Sequence, residues 1–464
     1  MPTLNDVHSA LNATDVREII PAASAGDVVA AVRRARDAGF PICPFGGRHA
    51  MGGQQFCPGA IALDTRGLDK VTAFDQDRGL LTIGAGAAWA SVVAATRRGE
   101  ASGRLAWAIR QKQTGADDMT LGGSVSCNAH GRGLLMGPMV EDVDSLTLVT
   151  AAGEVVGCSR ERNSELFTLA VGGYGMFGVI VDVTLRLTPR VLLRRVVDVL
   201  DLEDAANAVR RRIADGCLYG DFQYAIAPDD DEFMRRGVFS CYRPVAGVDS
   251  SGVMPSEDLP REAWLELLRL AHTDKRRAFA HYSEHYLRSH GNVYWSDDVQ
   301  MSTYIPAYAE YLARSGVTSG ESLMITELYV PTTSIGEFFG RARALLRATG
   351  VENIYGTIRL IRRDTTSVLA WARDDWACVI FNLRTHHSAQ GLARSTAAAR
   401  GLIDAAADLG GSFYLTYHRW ATREQVERCH PRIHEFLEAK RQWDPTGVFQ
   451  STWWRHMAAL FEQP

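Results

Sequence analysis

Short apolar runs alternate with amphipathic stretches in the first part of the chain, and this rhythm predicts alternating strands and helices. Val28, Val29 and Val32 follow the capping residue Ser24 at helical spacing, which predicts a helix ending near Gly39. Strands are predicted at residues 17–21, 40–44, 60–64, 80–86, 143–150 and 153–158, and further helices at residues 89–98 and 163–169. This mixture is typical of an α+β fold with mixed sheets.

The pattern changes after Pro189, where longer strands and longer amphipathic helices begin. Strands are predicted at residues 190–200, 324–330, 352–360, 376–383 and 412–417, and helices at residues 202–215, 262–287 and 388–409. This block predicts a second domain, in which a sheet carries helices on one face. The tail predicts a helix that breaks at Asp444-Pro445, followed by an aromatic stretch at residues 449–454.

Composition places the chain among ordinary globular proteins. Of its 464 residues, 46% are hydrophobic and 22% are charged. A net charge of −4 without a lysine/arginine block argues against nucleic acid or an anionic membrane surface as the main partner. There is no signal-peptide pattern and no apolar run near the ~18 residues of a membrane span, which predicts a cytoplasmic location. The eight cysteines lack metal-ligand spacing, which predicts free thiols and no metal site.

The segment Pro41–Gln55 is rich in glycine and lies between two apolar runs. Its glycines allow close backbone approach, and successive N–H groups in such a turn form an anion-binding concavity. Arg48 adds a forked cation suited to phosphate, and His49 adds a titratable side chain. We interpret the segment as a cradle for the pyrophosphate of a dinucleotide. The alternative is an ordinary glycine-rich turn with a packed histidine.

Two further glycine-rich segments follow. Residues 114–131 are dominated by small side chains, which again permit close approach of a ligand. Gly173–Gly178 spells GxGxxG, but the residues after it alternate as a strand. A dinucleotide fingerprint of the Rossmann type needs a helix at that place, so the Rossmann interpretation fails.

These three segments, in this order, resemble the vanillyl-alcohol-oxidase family of flavoproteins with its PCMH-type FAD-binding domain. The resemblance rests on Gly46-Gly-Arg-His49, on residues 120–131 and on residues 166–180. More weakly, residues 410–415 and 443–451 resemble the closing segments of the aldonolactone oxidase and decaprenylphosphoryl-ribose oxidase branches. The resemblance implies FAD, a two-subdomain FAD-binding domain at 1–190, a substrate (cap) domain with an antiparallel sheet covered by helices at 191–430, and a C-terminal segment at 431–464 that returns to the first domain.

The resemblance also implies which residues bind the cofactor. The pyrophosphate cradle comprises Phe45, Gly46, Gly47, Arg48, His49, Ala50, Met51, Gly52, Gly53 and Gln54. The residues that flank the flavin and the ribityl chain are Gly115, Thr120, Gly122, Gly123, Cys127 and His130. Val179 and Ile180 flank the adenine side, and Tyr414 also contacts the flavin. In several relatives a histidine at the position of His49 bonds covalently to the flavin 8α carbon, so a covalent link is expected here. The alternative is a histidine that only hydrogen-bonds the cofactor.

The predicted catalytic residues are His418, Tyr417, Glu327 and Cys378. The sugar-lipid oxidase branch has a lysine where this chain has Tyr417, so the substrate end departs from that branch. His418 has the most suitable ordinary pKa for a general base. Strand alternation predicts that His418 and Tyr414 face the flavin while Tyr417 points away. The alternatives are a structural role for His418, a solvated strand-edge carboxylate for Glu327 and a buried core thiol for Cys378.

The predicted activity is that of an FAD-dependent oxidase or dehydrogenase. It would oxidise a CH–OH group of a sugar, polyol or related small metabolite by hydride transfer to flavin N5, with oxygen or a quinone as electron acceptor. The alternatives are a flavin-dependent C=C or C–N oxidoreductase of secondary metabolism and a non-catalytic flavin-binding protein. An anionic substrate could be bound by Arg359, Arg362, Arg363, Arg384, His386 and His387, the alternative being a solvated face. A sugar or aromatic substrate could stack on Trp295, Tyr304, Tyr308, Trp371 and Trp376, the alternative being core packing.

Overall fold

The fold was analysed in a computed structural model, which describes residues 1–98, 106–115, 117–245, 259–301, 310–311, 313–314 and 320–462. It mixes helices and sheets, so the predicted α+β class is confirmed. Tyr304 and Tyr308, two of the aromatic candidates, lie outside the described residues. Within these ranges no helix combines the length and the apolar character that crossing a membrane requires.

The helices lie close to the predicted positions. They are α1 (Ala25–Asp37), α2 (Trp89–Arg97), α3 (Leu121–Ser126), α4 (Ser164–Ala170), α5 (Leu202–Ala214), α6 (Arg261–Thr273), α7 (Lys275–Arg288), α8 (Ile335–Thr349), α9 (Ala389–Asp408), α10 (Arg423–Cys429), α11 (Ile433–Trp443) and α12 (Thr452–Glu462). Helix α1 begins as predicted, because the Ser24 hydroxyl accepts a hydrogen bond from the Asp27 N–H. The exceptions are α3, α8, α10 and α12, which the sequence analysis did not predict.

The strands are mostly short in the first part of the chain and long in the second. They are β1 (Thr3–Leu4), β2 (Thr14–Asp15), β3 (Glu18–Pro21), β4 (Ile42–Phe45), β5 (Ile61–Asp64), β6 (Val71–Asp75), β7 (Leu80–Gly84), β8 (Trp107–Ala108), β9 (Val143–Val149), β10 (Val155–Ser159), β11 (Val179–Arg186), β12 (Thr188–Pro189), β13 (Leu192–Asp201), β14 (Tyr219–Tyr224), β15 (Arg236–Pro244), β16 (Val293–Trp295), β17 (Glu321–Pro331), β18 (Asn353–Ile361), β19 (Trp376–His386) and β20 (Ser412–Phe413).

The first part of the fold contains a three-stranded and a five-stranded sheet, and in its described residues β1 also pairs with β2 and β8 with β12. The strands β3, β5 and β4 pair in parallel, and α1 packs on them through Val28, Val32 and Ala35. The strands β10, β9, β11, β7 and β6 form an antiparallel sheet, which contains the predicted hairpin with Val155 opposite Val149. Strand β11 begins directly after Gly178, so the GxGxxG spelling is followed by a strand, as the sequence analysis predicted. A division into two subdomains remains a prediction.

A large antiparallel sheet dominates the second part. Among the described residues its strand order is β16-β13-β15-β14-β18-β19-β17-β20. One face packs on α8 and α9, where Phe381 of β19 contacts Phe338 of α8 with ring centroids 6.3 Å apart. The other face carries α6 and α7 at one end and is otherwise turned towards a cavity. The prediction of helices on one face only is therefore wrong, because α6 and α7 pack on the opposite side.

The C-terminal segment lies against the first part of the chain. Ile42 of β4 forms a parallel bridge with Phe449, and the Thr452 N–H donates to the Phe56 carbonyl at 2.6 Å. These contacts agree with a returning tail, while the exact domain boundaries remain predictions.

The predicted strand at residues 412–417 ends at Phe413. Beyond Tyr414 its backbone pairs with the glycine-rich loop instead of with the sheet. The Gly52 N–H donates to the Thr416 carbonyl at 3.0 Å, and Gln54 Nε2 donates to the Leu415 carbonyl at 2.9 Å. Tyr414 still faces the cavity as predicted, but the directions of Tyr417 and His418 differ from those that strand alternation predicts.

Candidate active site

A cavity of about 660 Å³ lies between the first part of the fold and the open face of the large sheet. This volume is within the range of small-molecule and cofactor sites. Backbone-rich segments with many glycines form one wall, and side chains of the sheet form the other.

The glycine-rich loop contributes the first wall through Phe45, Gly46, Gly47, Arg48, His49, Ala50 and Gln54. A Cβ atom at Gly46 would lie 2.2 Å from Thr120 Oγ1, so the loop rests directly on the start of α3. Arg48 has a φ of 61°, a strained conformation for a residue with a side chain. Met51, Gly52 and Gly53 were predicted in the cradle but lie beneath this wall, because Met51 is buried in the fold and Gly53 packs against Thr452.

Helix α3 and the segment before β11 complete this wall. The predicted residues that line it are Gly115, Thr120, Gly122, Gly123, Cys127, His130, Val179 and Ile180. The Thr120 hydroxyl caps α3 by accepting from the Gly123 N–H at 3.3 Å. Gln55, Tyr174 and Gly175 also line the cavity and were not predicted individually, although the glycines at 173–178 had indicated a ligand nearby.

His49 lies between two other polar side chains at the cavity wall. Its Nδ1 is 2.8 Å from His8 Nε2, and its Nε2 is 3.2 Å from Asp118 Oδ1. Burial, followed by the nearby His49, lowers the pKa of His8 to about 3, so His8 is neutral at pH 7. The hydrogen bond from His49 lowers the pKa of Asp118. Neither His8 nor Asp118 carries a local sequence signal that would have identified it.

Glu327 of β17 is the centre of a buried hydrogen-bond network at the sheet wall. Its Oε1 accepts from Cys378 Sγ at 2.8 Å and contacts His130 Nε2, while its Oε2 accepts from the Tyr417 hydroxyl at 2.9 Å. Burial alone would raise the pKa of Glu327, but the charge and hydrogen bonds of His130 and Cys378 outweigh it and lower the pKa to about 2. The residue is 1% exposed, so the interpretation as a solvated strand-edge carboxylate is wrong.

The partners of Glu327 are held as proton donors. Burial, together with the neighbouring carboxylate, raises the pKa of Tyr417 and that of Cys378 well above their ordinary values. His130 faces the Gly131 carbonyl through Nδ1 at 3.0 Å and the carboxylate through Nε2. Because both partners are acceptors, this geometry favours an imidazolium with two N–H groups. Cys378 contacts Glu327 but does not itself line the cavity.

His418 does not line the cavity, so the predicted orientations of His418 and Tyr417 are wrong, whereas that of Tyr414 agrees with the structure. Its Nε2 is 3.0 Å from Thr326 Oγ1, and its ring stacks on Trp420 with centroids 4.8 Å apart. Burial lowers the pKa of His418 to about 4. Tyr417 instead lines the cavity, as does Tyr414, whose hydroxyl donates to the Cys127 carbonyl at 2.7 Å. The cause is the end of β20 at Phe413, after which strand alternation no longer applies.

The remaining sequence candidates do not form one site. Arg359 lines the cavity, whereas Arg384 pairs with Glu321 at 2.9 Å, and Arg362 pairs with Asp375. Trp371 and Trp376 pack with Tyr329 in a buried aromatic cluster. The sequence analysis missed Asp221 and Gln223, which line the cavity from the unpredicted strand β14.

Comparison with known proteins identifies the first part of the chain. Residues 17–159 match the FAD binding domain family. The chain is 35% identical over 167 residues to an uncharacterized oxidoreductase, ORF5 in the fasciation locus of Rhodococcoides fascians, which covers 35% of this chain and 35% of that protein. It is 31% identical over 160 residues to cytokinin dehydrogenase 7 of Oryza sativa subsp. japonica, covering 32% of this chain and 28% of that protein.

A third relative is the mitochondrial L-galactono-1,4-lactone dehydrogenase 1 of Oryza sativa subsp. japonica, which is 33% identical over 144 residues, 30% of this chain and 24% of that protein. The matches thus span between 24% and 35% of the length of these relatives. The family match lies on the glycine-rich wall and includes the segments from which the resemblance was inferred. The chain therefore carries an FAD binding domain at residues 17–159, in the part of the sequence that resembles the vanillyl-alcohol-oxidase, or PCMH-type, flavoproteins.

Proposed function

We propose that this protein is an FAD-dependent oxidoreductase that oxidises a CH–OH group of a sugar, polyol or related metabolite. The observation that carries the proposal is the ionised, buried Glu327 and its donor Tyr417, which share one cavity with the glycine-rich wall of the FAD binding domain. The relatives named as dehydrogenases match less than half of this chain. They support a redox role, and the proposed class of substrate is argued from the residues that line the cavity.

The residues of the glycine-rich wall fit FAD. Glycines 46, 47, 115, 122, 123, 175 and 178 leave room beside Arg48 for a ligand to approach the backbone. In the same wall, Gln54 Oε1 and Gln55 Oε1 are buried without a hydrogen-bond partner among the described residues. Buried polar atoms normally have partners, so these two acceptors point to a bound group with donors. We assign the predicted cofactor residues that line this wall to FAD binding.

FAD, when bound, supplies a hydride acceptor at N5. The protein must then accept the hydroxyl proton of the substrate, and Tyr417 with Glu327 provides a path. The Tyr417 hydroxyl donates to Glu327 and keeps a lone pair with which it can accept from a substrate hydroxyl in the cavity. As hydride leaves, the substrate hydroxyl becomes that of a protonated carbonyl, a far stronger acid than a carboxylic acid. Even a carboxylate with a pKa of about 2 therefore accepts this proton.

His130 and Cys378 position the carboxylate in this scheme. Both donate to Glu327 Oε1, which leaves Oε2 for Tyr417. Tyr414 fixes the wall by binding the Cys127 carbonyl. His418 is assigned to the support of β17 through Thr326, because it does not reach the cavity.

A screen of metabolites for loss of flavin absorbance without oxygen tests the proposal. Alcohols and polyols are expected to bleach the flavin, while amines and enones leave it oxidised. Bleaching by amines or enones alone would instead support a C–N or C=C oxidoreductase. The similarity to cytokinin dehydrogenase 7 is the observation that favours this second candidate. No bleaching by any class of compound would support a non-catalytic flavin protein. The same proposal includes oxygen or a quinone as the electron acceptor. It also includes a cytoplasmic location.

We also propose that FAD is attached covalently through His49. The side chain lines the cavity, and neutral His8 lies 2.8 Å from its Nδ1. His8 can accept a hydrogen bond from the Nδ1–H group, and Asp118, 3.2 Å from Nε2, can accept the proton of that nitrogen, which leaves Nε2 as a nucleophile towards the flavin 8α carbon.

A further inference from the structure

The sheet wall contains a group of buried polar atoms without partners. Asp221 Oδ1, Gln223 Oε1, Thr357 Oγ1 and Arg359 Nε have no hydrogen-bond partner among the described residues. Their residues are between 0% and 9% exposed, and all four line the cavity. A buried polar group without a partner is costly, so four of them on one cavity wall indicate that a ligand supplies the missing bonds.

The sheet register places these side chains on one face. Gln223 of β14 is opposite Thr357 of β18, and Thr357 is opposite Ile380 of β19, which is opposite Glu327 of β17. Asp221 and Arg359 are two residues along their strands and therefore point the same way. Because neighbouring strands are about 4.8 Å apart, Thr357 lies about 10 Å and Gln223 about 14 Å from Glu327 across the sheet. The group contacts parts of a ligand that are remote from the reacting carbon.

The hydrogen bonds within the group fix which atoms face the ligand. Gln223 Nε2 donates to Asp221 Oδ2 at 2.7 Å and to the Tyr355 hydroxyl at 3.1 Å. The amide oxygen of Gln223 is thereby turned away from the carboxylate, so Oε1 and Asp221 Oδ1 are both acceptors. Arg359 Nε is a donor, and the Thr357 hydroxyl can donate and accept. The group thus offers acceptors and donors side by side.

Charged side chains lie beside this group in the cavity wall. Arg132 Nη1 lies 3.7 Å from Asp221 Oδ1, an ion pair beyond hydrogen-bond length. Arg359 lies near Glu327, where its positive charge helps to keep the carboxylate ionised. Hydroxyl groups can serve both the donors and the acceptors of this group.

We propose that Asp221, Gln223, Thr357 and Arg359 form a specificity subsite for the hydroxyl groups of a polyhydroxylated substrate. Asp221 and Gln223 accept hydrogen bonds from it, and Arg359 donates one to it. This inference rests on the proposed oxidation of a CH–OH group, because it concerns the same cavity, but binding can be measured without any turnover.

The test uses the FAD-loaded protein and a panel of monosaccharides, alditols and aldonolactones, with their deoxy analogues and with alkyl amines. Binding is followed by the rise in the thermal unfolding midpoint, which registers a ligand whether or not the flavin is reduced. The variants are Asp221→Asn and Thr357→Val, and the control is Asp198→Asn, half-exposed in an ion pair with Arg212 on the opposite face of the sheet.

At least one hydroxylated compound is expected to bind the wild type and the control equally. Its half-saturating concentration should rise about 10-fold in Thr357→Val and about 10- to 100-fold in Asp221→Asn. Without ligand, Thr357→Val should unfold at or above the wild-type midpoint, since it removes an unpaired buried hydroxyl. Binding of the panel that is the same in both variants and the wild type would overturn the inference, as would binding of amines or deoxy compounds alone or of no compound at all. Failure of the proposed oxidation would appear separately, as binding without bleaching of the flavin.

Discussion

At the level of single residues, Glu327 matters most because three groups depend on its charge. It accepts from Cys378 and Tyr417 and pairs with His130, all in a buried setting. We expect Glu327→Gln to lower the free energy of unfolding by about 3–5 kcal/mol, since it leaves a buried imidazolium without its counter-ion. Urea unfolding measures this loss, and Glu427→Gln on the surface serves as the control with little change.

The pKa of Glu327 also predicts a pH dependence of stability. Because the folded-state pKa is about 2 and the ordinary value is 4.5, the carboxylate stabilises the fold fully above about pH 5. This contribution, about 3 kcal/mol, is lost as the pH falls towards 2. Unfolding free energies measured across this acid range should fall more steeply for the wild type than for Glu327→Gln. Parallel curves for the two proteins would contradict the assignment.

Tyr417 is the residue expected to move the substrate proton. Tyr417→Phe should retain FAD but slow the reduction of the flavin by substrate about 10²- to 10⁴-fold, the usual contribution of a general acid–base group. Tyr329→Phe is a matched control, because it removes a buried hydroxyl that has no hydrogen-bond partner in the described part of the chain and does not line the cavity. Rapid-mixing absorbance without oxygen measures both rates, and equal rates would exclude the proton path.

His49 carries the prediction of a covalent flavin. The denatured wild-type protein should keep flavin fluorescence on a gel, and His49→Ala should lose it. His434→Ala, a histidine whose side chain is 61% exposed, should keep it. If the wild-type protein releases its flavin on denaturation, the covalent link is wrong, although FAD binding stands.

At the level of elements, we expect FAD binding by the glycine-rich loop to depend on its direct packing against α3. Gly46→Ala would place a methyl group 2.2 Å from Thr120 Oγ1, so the loop or the cap of α3 must move. We expect a marked loss of FAD affinity, measured by titration of the flavin-free protein or by the flavin content after purification. Gly336→Ala in α8 is the control, because its Cβ would meet no atom within 4 Å. Unchanged FAD affinity in Gly46→Ala would show that the glycine-rich loop does not bind the cofactor.

The sequence predicted elements well where local signals decide them. Ser24 and the valines after it defined α1, and the alternation after Gly178 correctly indicated β11. The strand at residues 412–417 failed because its partner beyond Tyr414 is the distant loop at Gly52. Strand β14 was missed because all six of its residues are buried, polar ones included, so no alternation of polar and apolar positions marks it.

At the level of the whole molecule, two parts of the chain with different sequence signals share one cavity. The glycine-rich segments predicted the wall that binds FAD, because a cofactor that lies against the backbone requires glycine at the positions of close approach. The sheet wall left no such signal. Asp221 and Thr357 become neighbours only through strand pairing, which spacing along the chain does not show. The sequence singled out Glu327 and Tyr417, both of which line the cavity, whereas the subsite proposed beside them could be inferred only from the fold.

The most direct test of the account is the flavin absorbance of the purified protein under anaerobic titration with hydroxylated metabolites. The account predicts a yellow protein that a sugar, polyol or related alcohol bleaches, with Tyr417→Phe equally yellow but bleached far more slowly. A protein that takes up no FAD, or one whose flavin is bleached by no alcohol, would contradict it.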